Sequence, residues 1–199
     1  MLENKIDLMF SSNAKILKKE ISEESPSRLI FLDESGANLS LCRDYARILG
    51  GQRIKLPKPH ARGNYFSIIG AIGLSEIKAA LYGQWATNGE IFLAFIRDYL
   101  VPNLRPGDIV LMDNVNFHKS EAIQICIESA GATLWFLPPY SPDFSPIENM
   151  WSKIKSILKK LAPRTKRQFK KALATAFESI TQSDLVGWFK HCGYKVTTV

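Results

Sequence analysis

The sequence predicts an α/β fold in which a mixed sheet is covered by helices and further helices follow at the C-terminus. Three observations predict it. Short apolar runs come first, helix-like and strand-like segments then alternate, and from residue 146 onward the pattern is helical throughout. The 199 residues, 46% of them hydrophobic, suffice for one substantial core and would crowd two domains of ordinary size. Residues 1–27, ending in SEESPS, read as a lead-in or linker, and residues 28–199 as the main domain.

The elements follow in order. RLIFLDES (28–35) is an apolar run ending in acids, consistent with a buried strand. Ser35 and Gly36 are turn residues and predict NLSLC (38–42) as its neighbouring strand. Prolines, glycines and basic side chains make GQRIKLPKPHARGN (51–64) an exposed basic loop. YFSIIGAIG (65–73) and IKAALYGQ (77–84) read as two strands with a tight connection. Asn88 can cap a helix running to about Leu100, with Ile91, Phe92, Phe95, Ile96 and Tyr99 on one face. DIVLMDN (108–114) is again an apolar run ending in an acid. SEAIQICIESAG is helical by period and stops at Gly131, and TLWFLPP (133–139) is a strand closed by prolines. Helices are expected at 146–161, 165–180 and 183–192, separated by Pro163 and Ser183.

A formal charge of +7 and a pI near 9.3 favour an anionic partner, of which nucleic acid is the commonest, although a merely basic protein has the same balance. Cys42, Cys126 and Cys192 are odd in number, widely spaced and without a CxxC pair. That argues against a disulfide framework or structural zinc and for a reducing cytoplasm. No signal-peptide run is present and no segment approaches the ~18 apolar residues of a membrane span, so the expectation is a soluble protein.

The chemistry rests on three carboxylates. Asp33 and Asp113 each end an apolar run, and Glu148 opens a helix after the proline-rich loop of LPPYSPDFSPIENMWSKIK (137–155). Side chains at the carboxyl ends of buried strands face a crevice where ligands bind. Clustered acids repel one another unless cations neutralise them. Hard oxygen donors without a His/Cys set select Mg²⁺ or Mn²⁺. Two such ions roughly 3.5–4 Å apart can act on a phosphodiester from both sides. Glu148 also has a local explanation. Ser145 as N-cap, Pro146 at the first helical position and Glu148 at the third fit a capping box. An isolated Asp33 or Asp113 would serve a turn. The combination carries the metal reading.

FLDESG, LMDNVNFHK and LPPYSPDFSPIENMWSKIK resemble the three catalytic segments of DDE transposases of the mariner superfamily, in its bacterial insertion-sequence branch. Residues 114–147 separate Asp113 from Glu148, a spacing typical of that branch, and the resemblance spans about residues 28–160. It implies a ribonuclease H-like fold and makes Asp33, Asp113 and Glu148 the catalytic triad holding two Mg²⁺ or Mn²⁺ ions. It also implies cleavage of DNA at transposon ends and transfer of the freed 3′-hydroxyl into target DNA, usually at TA, by a homodimer on DNA. The setting would be a bacterial cytoplasm, at the nucleoid when DNA is bound. Family members usually carry an N-terminal helix-turn-helix region, and only about 27 residues precede the first motif here. A helix-turn-helix half encoded in an upstream frame would then be a partner, or the chain would be a truncated copy. Two other readings stay open: a stand-alone ribonuclease H-like nuclease, and a non-catalytic DNA-binding or dimerising regulator of transposition.

Around the triad, Asn114 and His118 lie in the DNxxxH pattern that the resemblance shares. They would hydrogen-bond a water at the metals or a DNA phosphate, or else shape the loop and cap the next helix. Glu34, Asp44 and Asp143 are competing acids; alternation points Glu34 away from Asp33, and Asp143 suits a turn with Ser141 and Pro142. Ile147, Trp151, Ile154 and Leu158 form a stripe that packs on the sheet, with Trp151 in the core. Ser152, Lys155 and Lys159 share the helix face of Glu148, either a track for a DNA backbone or a solvated lysine face. The loop residues Arg53, Lys55, Lys58, His60 and Arg62 invite phosphate contacts, as do Lys166, Arg167, Lys170 and Lys171. None of these implies base readout.

Overall fold

The computed structural model describes residues 20–21, 23–43, 59, 63–138 and 141–196. Among the described residues five strands form one sheet in the order β3-β2-β1-β4-β5: β1 Leu29–Asn38, β2 Tyr65–Ile72, β3 Ile77–Gly83, β4 Ile109–Met112 and β5 Thr133–Phe136. β1, β2 and β3 pair antiparallel, whereas β4 and β5 add in parallel beside β1. The mixed sheet expected from the order of elements is therefore present.

Strand alternation divides the apolar residues between two cores. Leu29, Phe31, Phe66, Ile68, Ile109 and Leu111 face a layer of three helices, α3 (Pro146–Leu161), α4 (Lys166–Glu178) and α5 (Gln182–His191). Ile30, Leu32, Ile69, Val110 and Met112 face α1 (Gly89–Phe95) and α2 (Glu121–Glu128) on the opposite side. The stripe Ile147, Trp151, Ile154 and Leu158 is buried against the sheet as its spacing predicts. Among the described residues no helix is long and apolar enough to cross a membrane.

Three local expectations are corrected. NLSLC is not a second strand, because β1 runs unbroken through Ser35 and Gly36, paired with Ile68 and Ser67 of β2. Gly36 serves space rather than a turn: a Cβ there would collide with the Tyr65 hydroxyl. The carbonyls of Leu39 and Leu41 instead accept hydrogen bonds from the Arg164 guanidinium. Tyr99 is not on the buried face. After Phe95 the helix widens into a π turn, Ile96–Leu100, and the extra residue carries the apolar stripe from Ile96 to Leu100, leaving Tyr99 exposed. The last helix begins at Gln182, capped by Thr181 rather than divided at Ser183. The other boundaries agree closely, including Asn88 accepting from the Ile91 N–H and Gly131 at φ 76° beyond α2.

One glycine sets the distance between the sheet and α3. Gly70 of β2 pairs with Asp33 of β1, and a Cβ at Gly70 would lie 2.7 Å from the Trp151 ring and 3.2 Å from the Met150 methyl. The missing side chain lets the indole lie close against the strand. Further along α3, Lys153 Nζ donates to Asp184 Oδ2 at 2.6 Å and to the Ser179 carbonyl at 2.8 Å. Asp184 also accepts from the Thr181 N–H, completing a capping box that starts α5.

Two outcomes follow from this packing. G70A should destabilise the domain by about 1–3 kcal/mol, since either the Trp151 ring or the strand must shift; chemical denaturation measures it, and an unchanged midpoint would disprove the close contact. Asp184 is held at about 2 by Lys153 and the Thr181 cap, below its ordinary 3.8. A depressed carboxyl stabilises above its unfolded pKa and loses that contribution as pH falls through its folded value. D184N should therefore cost about 1–2 kcal/mol at pH 7. The gap to the unaltered chain should close between pH 4 and pH 2, as urea titrations across that range would reveal.

Candidate active site

The parallel pairing of β1 and β4 sets Leu29 beside Ile109, Ile30 beside Val110 and Phe31 beside Leu111. Carried two residues further, the same register brings Asp33 level with Asp113, across neighbouring strands whose usual spacing is about 4.8 Å. Glu148 approaches from the first turn of α3. The three carboxylates line one cleft of about 420 Å³, together with Asn114, Ser141 and Ser145 and a floor of Leu32, Leu137 and Pro138.

Asp33 points toward α3, where Trp151 Nε1 donates to its Oδ2 at 2.9 Å. Burial pushes the Asp33 carboxyl up to about 7, and the neighbouring charges of Glu148 and Glu34 push the same way. Hydrogen bonds from the Glu34 N–H and the Trp151 indole offset this only in part. An ionised Asp33 thus lacks the positive partner that its surroundings call for.

Glu34, next along the strand, points to the opposite face as alternation requires, and there it meets His118. The imidazole is fully buried and stacks on Phe92 of α1 at 4.1 Å between ring centroids. Its Nε2 lies 3.3 Å from Glu34 Oε1, and its Nδ1 lies 2.5 Å from Asp113 Oδ1 and 3.2 Å from the Asp113 carbonyl oxygen. Burial works against the imidazolium, but Asp113 and Glu34 outweigh it and hold His118 up at about 9. Asp113 Oδ1 is buried and, beyond this ion-pair contact, has no well-aligned hydrogen bond. Glu34, Asp113 and His118 each present a ligand atom within 4.8 Å of the others.

The capping box expected at Glu148 does not form. Ser145 enters α3 from a 3-10 turn, Pro142–Phe144, and its N–H donates to the Pro142 carbonyl at 2.9 Å. The donor that a Glu148 carboxylate would accept in a capping box is thus already taken, and the Ser145 hydroxyl makes no cap bond either. Glu148 is exposed at the cleft with its carboxylate uncommitted to the helix end.

Of the other residues singled out in the sequence, Asn114 lines the cleft, while Asp143 sits in the 3-10 turn beside it. Lys155 and Lys159 are partly exposed on α3 and do not line the cleft; Lys166, Arg167, Lys170 and Lys171 are exposed on α4. Arg53, Lys55, Lys58, His60 and Arg62, like Asp44, fall outside the described residues. Sequence reasoning missed two links, the indole bond from Trp151 to Asp33 and the buried bridge from Glu34 through His118 to Asp113. Trp151 stands three residues after Glu148, one helical turn on, which was the available signal for the first. The second had none beyond the DNxxxH spacing, because it depends on the pairing of β1 with β4.

The model of the DDE superfamily endonuclease family matches residues 28–170. Solved structures with the same architecture include the Mos1 transposase paired-end complex with left transposon end, at 18% identity and a TM-score of 0.74 over 92% of this chain and 57% of that one. The Mos1 mariner paired end complex with Mn aligns at 17% identity and a TM-score of 0.76, covering 92% and 58% of the two chains. The catalytic domain of Mos1 mariner transposase aligns at 15% identity and a TM-score of 0.65, covering 92% and 86%. These likenesses establish the ribonuclease H-like fold. The chain spans a little over half the length of the transposase chains in the first two complexes. No curated protein matches it. With the family model covering the sheet, the cleft and the helix that carries Glu148, the chain belongs to the DDE superfamily of endonucleases.

Proposed function

We propose that residues 28–199 are the catalytic domain of a mariner-type DNA transposase of the bacterial insertion-sequence branch, with residues 1–27 as a lead-in. It cleaves phosphodiesters at transposon ends and joins the freed 3′-hydroxyl to target DNA. One observation carries this reading: Asp33, Asp113 and Glu148 converge in a single cleft from two adjacent parallel strands and a helix start. The Mos1 structures, determined with transposon-end DNA and with Mn, support the choice of DNA and of a divalent cation.

The residues fit such a cation. The donors are carboxylate oxygens that line one cleft, and the Asp33 carboxyl is unfavourable as an isolated anion. Asp33, Asp113 and Glu148 would hold Mg²⁺ or Mn²⁺, with two ions as the expected number. Bound there, the ions would stabilise negative charge on the entering and leaving oxygens of the scissile phosphate. The protein's own contribution is placement. Strand pairing sets the separation of the two aspartates, the Trp151 indole fixes Asp33 Oδ2, and the 3-10 turn before α3 sets Glu148. Asn114 at the cleft rim offers an amide to the DNA backbone, and Lys155 and Lys159 on α3 continue a basic track. Arg53, Lys55, Lys58 and Arg62 add positive charge for phosphates. A homodimer on DNA and an upstream-frame helix-turn-helix half would supply end recognition, in a bacterial cytoplasm at the nucleoid.

Incubating the chain with Mn²⁺ and a duplex that carries a pre-cut end with a free 3′-hydroxyl should yield joined products. Cutting without joining would favour the stand-alone nuclease, and no response to Mg²⁺ or Mn²⁺ would favour the non-catalytic regulator. Asp113→Asn should reduce metal-dependent cleavage to background while the circular dichroism spectrum stays unchanged. Undiminished cleavage by that variant would remove Asp113 from the proposed site.

A further inference from the structure

Beyond the triad, the geometry points to a buried bracket: His118, anchored by Glu34, is a positioning residue that fixes which oxygen of Asp113 faces the cleft. This rests on the proposed role of Asp113 as a metal ligand. His118 lies in a 3-10 turn, Asn116–Lys119, three to six residues past that aspartate, and its ring is fully buried. Stacking on Phe92 fixes the plane of the imidazole, so its two nitrogens point in set directions. One reaches Asp113 Oδ1 at 2.5 Å and the other reaches Glu34 Oε1 at 3.3 Å.

The bracket therefore ties the residue after Asp33 in β1 to the strand end of β4. Its effect on Asp113 is specific. Oδ1 is buried against the imidazole, yet the side chain as a whole remains 50% exposed. The exposed part of the carboxylate is consequently Oδ2, and Asp113 lines the cleft. Without a partner for Oδ1 the carboxylate could rotate about its Cβ–Cγ bond and present either oxygen. Partners behind a ligand of this kind set its orientation, and losing one typically costs 10–100-fold in metal affinity. A space-filling role alone would be met by any flat ring, and would not require a fully buried polar group between two carboxylates.

Substitution at His118 tests the bracket. The H118F substitution keeps a ring against Phe92 but removes both nitrogens that face Asp113 and Glu34. The bracket predicts weaker binding, by about tenfold or more. The measurement is Mn²⁺ affinity, read by electron paramagnetic resonance of the free ion, on the full chain without DNA. If H118F fails to fold, two amide variants carry the comparison. In H118N the introduced amide N–H can stand near the lost Nδ1 and bond Asp113, whereas the longer side chain of H118Q reaches toward Glu34. H118N should stay within about threefold of the unaltered chain and H118Q should lose about tenfold or more. Equal or tighter Mn²⁺ binding by H118F, or equal losses in H118N and H118Q, would overturn the bracket while leaving the metal site standing. An unaltered chain that binds no Mn²⁺ would overturn the metal assignment itself, and the bracket with it.

Discussion

The parallel pairing of β1 with β4 is the constraint on which the rest of the molecule depends. It joins the antiparallel part of the sheet to the parallel part, and its register brings Asp33 level with Asp113. A slip of one residue would turn every side chain of β1 to the other layer. Asp33 would then leave α3 and Trp151, and Glu34 would leave His118. The apolar residues specify that register strongly: Leu29 and Phe31 belong to one core, Ile30 and Leu32 to the other, and all are buried. The core thus acts on the cleft by holding a strand whose later residues are polar.

Alternation then gives consecutive acids different work. Asp33 meets the indole of Trp151 and the carboxylate of Glu148 on the α3 side. Glu34 meets the buried imidazole on the α1 side. Asp113, where β4 has already ended, borders both the main cleft and a neighbouring cavity of about 390 Å³ that Glu34, Tyr65 and Thr87 line. One strand thereby serves two environments, one poor in positive charge and the other supplied with an imidazolium.

Much of the frame was legible because it rests on local periodicity. α3 was expected over residues 146–161 and spans Pro146–Leu161, since an apolar stripe at helical spacing is bounded by prolines on both sides. The strands were legible as apolar runs. Ser35 and Gly36 misled because turn residues signal a turn only when no partner strand continues the ladder, and Tyr65 of β2 needed the space above Gly36. Ser145 and Glu148 misled in the same way. The pattern of a capping box was present, but the preceding 3-10 turn had taken the Ser145 N–H. His118 could be placed beside Asp113 from sequence, but its contact with Glu34 spans 84 positions and arises only from strand pairing.

The departures that lie at the cleft share a physical sense. Sequences satisfy local rules where only stability is at stake and break them where side chains are held for another purpose. Here a helix start forgoes its capping box and leaves Glu148 exposed at the cleft. A β-strand accepts Gly70, a poor strand residue, so that an indole can reach Asp33. A buried site holds a histidine between two acids where an apolar ring would pack at lower cost. Each of these choices costs some stability in the bare protein. Each also orients a carboxylate of the same cleft or leaves it free, and a divalent cation among those carboxylates would offset the repulsion of Asp33 by Glu148 and Glu34.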